Sequence, residues 1–263
     1  MSQPADGTYL GARVAQLARA AVSGLADLLM PRACVACDRA LRGVEPGVVC
    51  GWCWTRLDLL PFPQCARCGH PHIKHRCRWC DLLPPYVRAV RSVCWIPGGS
   101  GGDIVHALKY EGWRAAAEGM AQRMARLAWP RDVVDERTAL VPVPLSPTRL
   151  RERGFNQSEV IALALASAWR IPVWTDGLSR SRDTESQTRL TPSDRLRNVA
   201  GAFDVSSSAP SRLRGAHVVL VDDVVTTAAT MNACAQALIA RGVRIVSYVT
   251  FGRARAAGDR PLS

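Results

Sequence analysis

Apolar and polar positions change their spacing several times along this chain. In "YLGARVAQLARAAVSGLADLLM" the residues Leu10, Val14, Leu17, Ala21, Leu25 and Leu28 recur every three or four positions, which predicts an amphipathic helix within residues 1–30. Arg13, Arg19 and Asp27 interrupt the run. It therefore predicts neither a membrane span nor the uncharged centre of a secretory signal, and the expectation is a cytoplasmic protein with reduced thiols. After "LLPPY" (82–86) short apolar runs alternate with helical spacing. "ALVPVP" (139–144), "RIPVW" (170–174), "HVVLVDD" (217–223) and "VRIVSYVTFG" (243–252) read as strands, and "NQSEVIALALASAW" (156–169) and "ATMNACAQALIARG" (229–242) as helices. A long polar segment separates the second strand from the third. The alternation predicts an α/β domain over residues 84–255, a parallel sheet with helices on both faces, followed by a short tail over 256–263.

The segment between the first helix and this domain has another texture. Cysteines come in pairs: Cys34 and Cys37, Cys50 and Cys53, Cys65 and Cys68, Cys77 and Cys80, each pair two residues apart. A CxxC loop aims two thiolates at one point, and two such loops make a tetrahedral sulfur site for zinc. Sequential pairing gives two sites over residues 31–83, and spacing leaves an interleaved pairing open. With four thiolates per site no ligand position stays vacant for a substrate, so the role predicted for two zinc ions is structural. His70, His72 and His75 crowd the second site but are not needed as ligands. Cys94 and Cys234 stand alone and are expected to be buried.

Charge adds a partner class. The net charge of +12 points to an anion, either nucleic acid or a phosphorylated small molecule, although an idle arginine-rich surface explains it as well. Two Zn2+ on eight thiolates would lower the balance only to about +8. The tryptophans of "GWCW" and "CRWC" offer stacking surfaces for single-stranded nucleic acid, or simply pack around the metal sites.

The stretch "VVLVDDVVTTAAT" (218–230) carries the most chemistry. Asp222 and Asp223 stand where an apolar strand stops, at the end where ligands of parallel sheets bind. The small residues that follow let backbone N–H groups approach a phosphate, and the next helix adds its positive N-terminus. Thr226, Thr227 and Thr230 add hydroxyl donors. The two carboxylates suit ribose hydroxyls, or Mg2+ held through water. A helix cap alone would need one acid.

This stretch resembles the PRPP-binding motif of type I phosphoribosyltransferases. Together with "VPVPLSPTRLRERGFNQSEVIA" (141–162), "RSRDTESQTRLTPSDRLRNVAGAF" (180–203), "HALKYEGW" and the cysteine pairs, the chain looks like the ComF family, also called competence protein F-like or amidophosphoribosyltransferase-like. The resemblance implies a double zinc ribbon joined to a phosphoribosyltransferase domain that takes PRPP or a related ribose phosphate with Mg2+. Asp222 and Asp223 would hold the ribose hydroxyls, and Thr226, Thr227, Ala228, Ala229 and Thr230 would cradle the 5-phosphate. Arg149, Arg151 and Arg153 would lie on the pyrophosphate side. Arg180, Arg182, Thr184 and Gln187 would sit on a closing loop, with Arg182 and the acidic pair catalytic. Lys109, one of only two lysines, falls in a matching segment without a role. The alternative implied by the family is a non-catalytic single-stranded DNA-binding protein of DNA uptake, with a helicase or another uptake protein as partner. One departure is Ala228, where the family has glycine; a working loop would place it at negative φ. Thr226 stands where purine-specific relatives carry an Asp, so no base for a purine proton is visible.

Overall fold

The computed structural model describes residues 32–41, 47–71, 77–180, 201–205 and 210–255. The N-terminal helix expected within residues 1–30, the 256–263 tail, and His72, His75, Arg182, Thr184 and Gln187 lie outside them.

In chain order the elements are α1 (Gly51–Thr55), β1 (Leu57–Leu59), β2 (Val87–Gly99), α2 (Gly101–Tyr110), α3 (Ala116–Ala125), α4 (Arg131–Glu136), β3 (Arg137–Pro142), α5 (Pro147–Arg153) and α6 (Gln157–Trp169). There follow β4 (Ser179–Arg180), β5 (Phe203–Asp204), α7 (Pro210–Leu213), β6 (His217–Val225), α8 (Ala229–Ala240) and β7 (Ile245–Ala254). The main sheet runs β1-β2-β7-β6-β3. All its pairings are parallel except β1 with β2, where Leu57 faces Gly99 and Leu59 faces Cys94.

Strand alternation divides the core into two layers. On β6, Val219 and Val221 join the layer that contains Ile104 and Leu108 of α2, Met120 of α3 and Ile161 and Leu165 of α6. Val218 and Leu220 point the other way, into the layer with Met231, Ala235 and Leu238 of α8. Both faces are covered, so β6 and β7 read as continuous apolar runs, and each fully buried Val or Leu contributes roughly 1.5–3 kcal/mol. "RIPVW" makes no strand. It is reduced to a single bridge of Val173 to Leu140, with Leu140 N–H donating to the Pro172 carbonyl. Pro172 has no N–H with which to extend the ladder.

The cysteine-rich segment is built into this sheet. It supplies β1, the edge strand, and its two halves take opposite faces. Cys34, Cys50 and Cys53 pack into the α2–α3–α6 layer, whereas Cys68, with Cys65, Cys77 and Cys80 against it, joins the α8 layer.

Candidate functional site

β6 delivers Asp222 and Asp223 to the carboxyl end of the sheet, into a cleft of about 1000 Å³. Asp223 is buried, only 3% exposed, and Lys109 on the last turn of α2 ion-pairs with its Oδ2. Gln157 Nε2 donates to Asp223 Oδ1 at 3.2 Å. Asp222 Oδ1 accepts from the Ser158 hydroxyl at 2.8 Å and from the Asp223 backbone N–H at 2.9 Å. Gln157 and Ser158 open α6, whose N-cap Asn156 accepts from the Ser158 N–H while its own amide donates to the Val143 carbonyl. One cap thus fixes the α6 N-terminus to the end of β3 and points two polar side chains at the acidic pair.

The two acids are not equivalent. Burial, then the neighbouring Asp223 charge, push the Asp222 carboxyl up to about 7. Burial also opposes ionised Asp223, but the Lys109 ammonium outweighs it and holds that carboxyl below its ordinary value. Burial works against the Lys109 charge in turn, and the Asp223 carboxylate more than restores it.

After β6 the chain turns through Thr226 and Thr227 into α8. Ala228 is the N-cap residue and lies at φ +60°, in the left-handed region; the expectation of negative φ is corrected here. Reversing from strand to helix within so few residues requires that conformation, which an L side chain adopts at a cost of roughly 1–2 kcal/mol. No side chain caps this 12-residue helix, and Ala228, Ala229 and Thr230 at its N-terminus line the cleft. Thr227 Oγ1 is buried and has no hydrogen-bond partner among the described residues.

The segment after "VPVP", expected as a loop, forms α5. Ser146 caps it by accepting from the Arg149 N–H, Pro147 fits its first turn, and Gly154 at φ 74° ends it. Arg149 and Arg153 line the cleft, and Arg153 also donates to Gln157 Oε1. Arg151 bonds Thr148 instead and is not among the lining residues. Arg180 of β4 lines the cleft too, with its guanidinium over Phe203 of the paired β5. Periodicity alone assigns Gln157 and Ser158 no role. Their signal was polar side chains at the head of an otherwise apolar helix.

The cysteines form two sequential clusters, Cys34/Cys37/Cys50/Cys53 and Cys65/Cys68/Cys77/Cys80, each with all sulfurs within 4.8 Å of one another. Sγ–Sγ separations of 3.7 Å (Cys34–Cys53), 3.8 Å (Cys37–Cys50), 3.5 Å (Cys65–Cys80) and 3.4 Å (Cys68–Cys77) are near the edge of a tetrahedron with arms of about 2.3 Å, the zinc–sulfur bond length. Backbone N–H groups point at the sulfurs, Cys50 N–H to Cys34 Sγ at 3.3 Å among them, as thiolates require. His70 is no ligand here; its Nδ1 lies 2.8 Å from the Pro71 carbonyl and its ring stacks on Trp79. Cys94 and Cys234 are fully buried and outside both clusters. Among the described residues no helix is long and apolar enough to cross a membrane.

Comparison with known proteins accounts for both halves. Residues 157–262 match the phosphoribosyl transferase domain and residues 25–83 the double zinc ribbon domain. DNA utilization protein YhgH of Escherichia coli (strain K12) is 32% identical over 231 residues, covering 83% of this chain and 96% of that protein. Competence protein ComFC of Bacillus subtilis is 26% identical over 226 residues, covering 80% and 89%. Competence protein F of Haemophilus influenzae is 34% identical over 118 residues, covering 45% and 50%. An N-terminal pair of four-cysteine clusters fused to a parallel phosphoribosyltransferase-like sheet, with relatives of this length and identity, shows that the chain belongs to the ComF/YhgH family.

Proposed function

We propose that the cleft binds PRPP and transfers its ribose 5-phosphate to a nucleophile. The observation that carries the reading is the uncapped N-terminus of α8, whose Ala228, Ala229 and Thr230 line the cleft a few residues after the two acids. A phosphate monoester satisfies helix N–H groups left without an acceptor. Asp222 and Asp223, a few residues upstream, then accept from the ribose 2- and 3-hydroxyls. The bond broken runs from C1 to the pyrophosphate oxygen and the bond formed joins C1 to the acceptor. Arg149 and Arg153 lie on the cleft wall where the leaving charge needs stabilising. Mg2+, carried in on the pyrophosphate, would neutralise further charge there. Calorimetric titration with PRPP and Mg2+ tests the reading. Thr230→Val, which removes a hydroxyl from the cleft lining, should weaken binding about tenfold, the scale of one hydrogen bond to a charged group. Equal affinity in the two proteins refutes the phosphate assignment. The zinc-ribbon matches and the sulfur geometry support Zn2+ as the ion of both clusters.

A second activity has its own observation. Trp52 is 52% exposed, and the guanidiniums of Arg39 and Arg56 each lie 5.8 Å from its ring centroid. An exposed indole flanked by two cations suits a stacked base and its phosphates. Relatives named for DNA utilization and competence agree with single-stranded DNA as partner. Trp52→Ala should weaken binding of a labelled oligonucleotide about tenfold, within the ~1–3 kcal/mol of one base stack. A variant that binds like the parent excludes this platform.

A further inference from the structure

The acidic pair already has a cation. Lys109 and Asp223 form an ion pair with side chains 22% and 4% exposed, at the floor of the cleft. The backbone that carries the lysine is anchored, because its neighbours Ala107 and Leu108 on α2 are fully buried in the core. With 34 Lys and Arg in the chain, nearly all arginine, a lysine at this position is a specific choice. Its ammonium is a compact point charge with three donors, closer in shape to a metal ion than a guanidinium is.

We propose that Lys109 is the resident cation of this site, standing where a divalent ion would otherwise sit, so that ribose recognition by Asp222 and Asp223 needs no metal. The inference rests on the ribose phosphate reading given above. Asp223 has one oxygen on the Lys109 ammonium and the other on Gln157. Asp222 Oδ1 takes both the Ser158 hydroxyl and a backbone N–H. Mg2+ demands near-octahedral oxygen coordination at about 2.0–2.1 Å. To bind Asp223 it must evict the ammonium and the amide, and beside Lys109 it meets a like charge. Ribose hydroxyls are neutral and short. They donate to the remaining carboxylate lone pairs, of which each group has about four, without displacing a partner. Metal dependence then belongs to the pyrophosphate alone.

Ribose 5-phosphate, which lacks the pyrophosphate, separates the two roles. Calorimetry is run with and without Mg2+, the metal being removed by desalting, since a chelator would strip the cysteine sites. The wild-type protein should bind ribose 5-phosphate equally in both, within about twofold, while PRPP should tighten about tenfold or more with Mg2+. Lys109→Met should weaken ribose 5-phosphate about tenfold without metal and recover when Mg2+ is supplied. Wild-type binding of ribose 5-phosphate that collapses without Mg2+ overturns the inference and leaves the ribose phosphate reading standing. So does a folded Lys109→Met protein with wild-type affinity and no metal response. No binding of either ligand by the wild type sinks both. If Lys109→Met does not fold, the wild-type comparison decides alone.

Discussion

Gly119 lies against the indole of Trp54: a Cβ added at position 119 would stand 2.3 Å from Trp54 Cζ2. Trp54 belongs to α1 of the cysteine-rich segment and Gly119 to α3, which packs on the main sheet. Arg123, one turn on, places its guanidinium 3.6 Å from the ring centroid on the same indole. The missing side chain is therefore what lets the ribbon segment seat. Gly119→Ala improves helix propensity by about 1 kcal/mol, yet overpacking costs about 1–3 kcal/mol, so a net loss of stability is expected in urea denaturation. A stabilised variant would show that the indole is free to move aside.

Ala228 offers the reverse test. Glycine at φ +60° removes the left-handed penalty and gives back part of the gain through a more flexible unfolded chain. Ala228→Gly should raise stability by about 0.5–1 kcal/mol. Because the alanine already holds the conformation a glycine would take, PRPP affinity should change less than about threefold. A tenfold gain in binding would mean that the methyl group obstructs the phosphate.

The purified protein should carry two zinc ions. Cys34→Ser should lose one of them and Cys68→Ser the other, by elemental analysis under reducing conditions. Cys234→Ser, at a buried sulfur outside both clusters, should keep both. Loss of both ions on a single substitution would show that the clusters fill cooperatively.

Asp222 sets a pH dependence. Its folded carboxyl titrates near 7 against 3.8 for the ordinary group, so between those values the folded chain holds a proton that the unfolded chain releases. Stability from this group is present at low pH and lost as pH rises through about 7. Asp223 works in the other direction, its contribution vanishing only below the ordinary carboxylate range. Urea midpoints measured from pH 5 to pH 8 should fall less steeply in Asp222→Asn than in the wild type. Parallel curves would place the titrating group elsewhere.

What the sequence disclosed tracks the range of the forces involved. CxxC spacing is local geometry, and it yielded the two sulfur clusters. The apolar run before Asp222 is local too, and it placed the acids at the end of β6. The partners of those acids come from residues about 65 and more than 110 positions away on α6 and α2, which no periodicity connects. Lys109 stood out only by its rarity. The helical form of 147–153 has its signals in plain view, Ser146 and Pro147 at the start and Gly154 at the end, beneath a more conspicuous run of arginines. The positive φ of Ala228 belongs to the short turn between β6 and α8, where the chain's path overrides the residue's own preference.

The strand order has a consequence for synthesis. β2 takes its parallel partner from β7, with Val87 opposite Val246, near the other end of the chain. On the ribosome its apolar edge must wait for about 150 residues to emerge, on the order of ten seconds at typical elongation rates. β1, made just before it, pairs across Leu57 and Gly99 and across Leu59 and Cys94 and covers that end of the other edge. The cysteine-rich segment thus serves the nascent chain as an early guard, shielding the Cys94–Gly99 end of an aggregation-prone strand until the last one arrives.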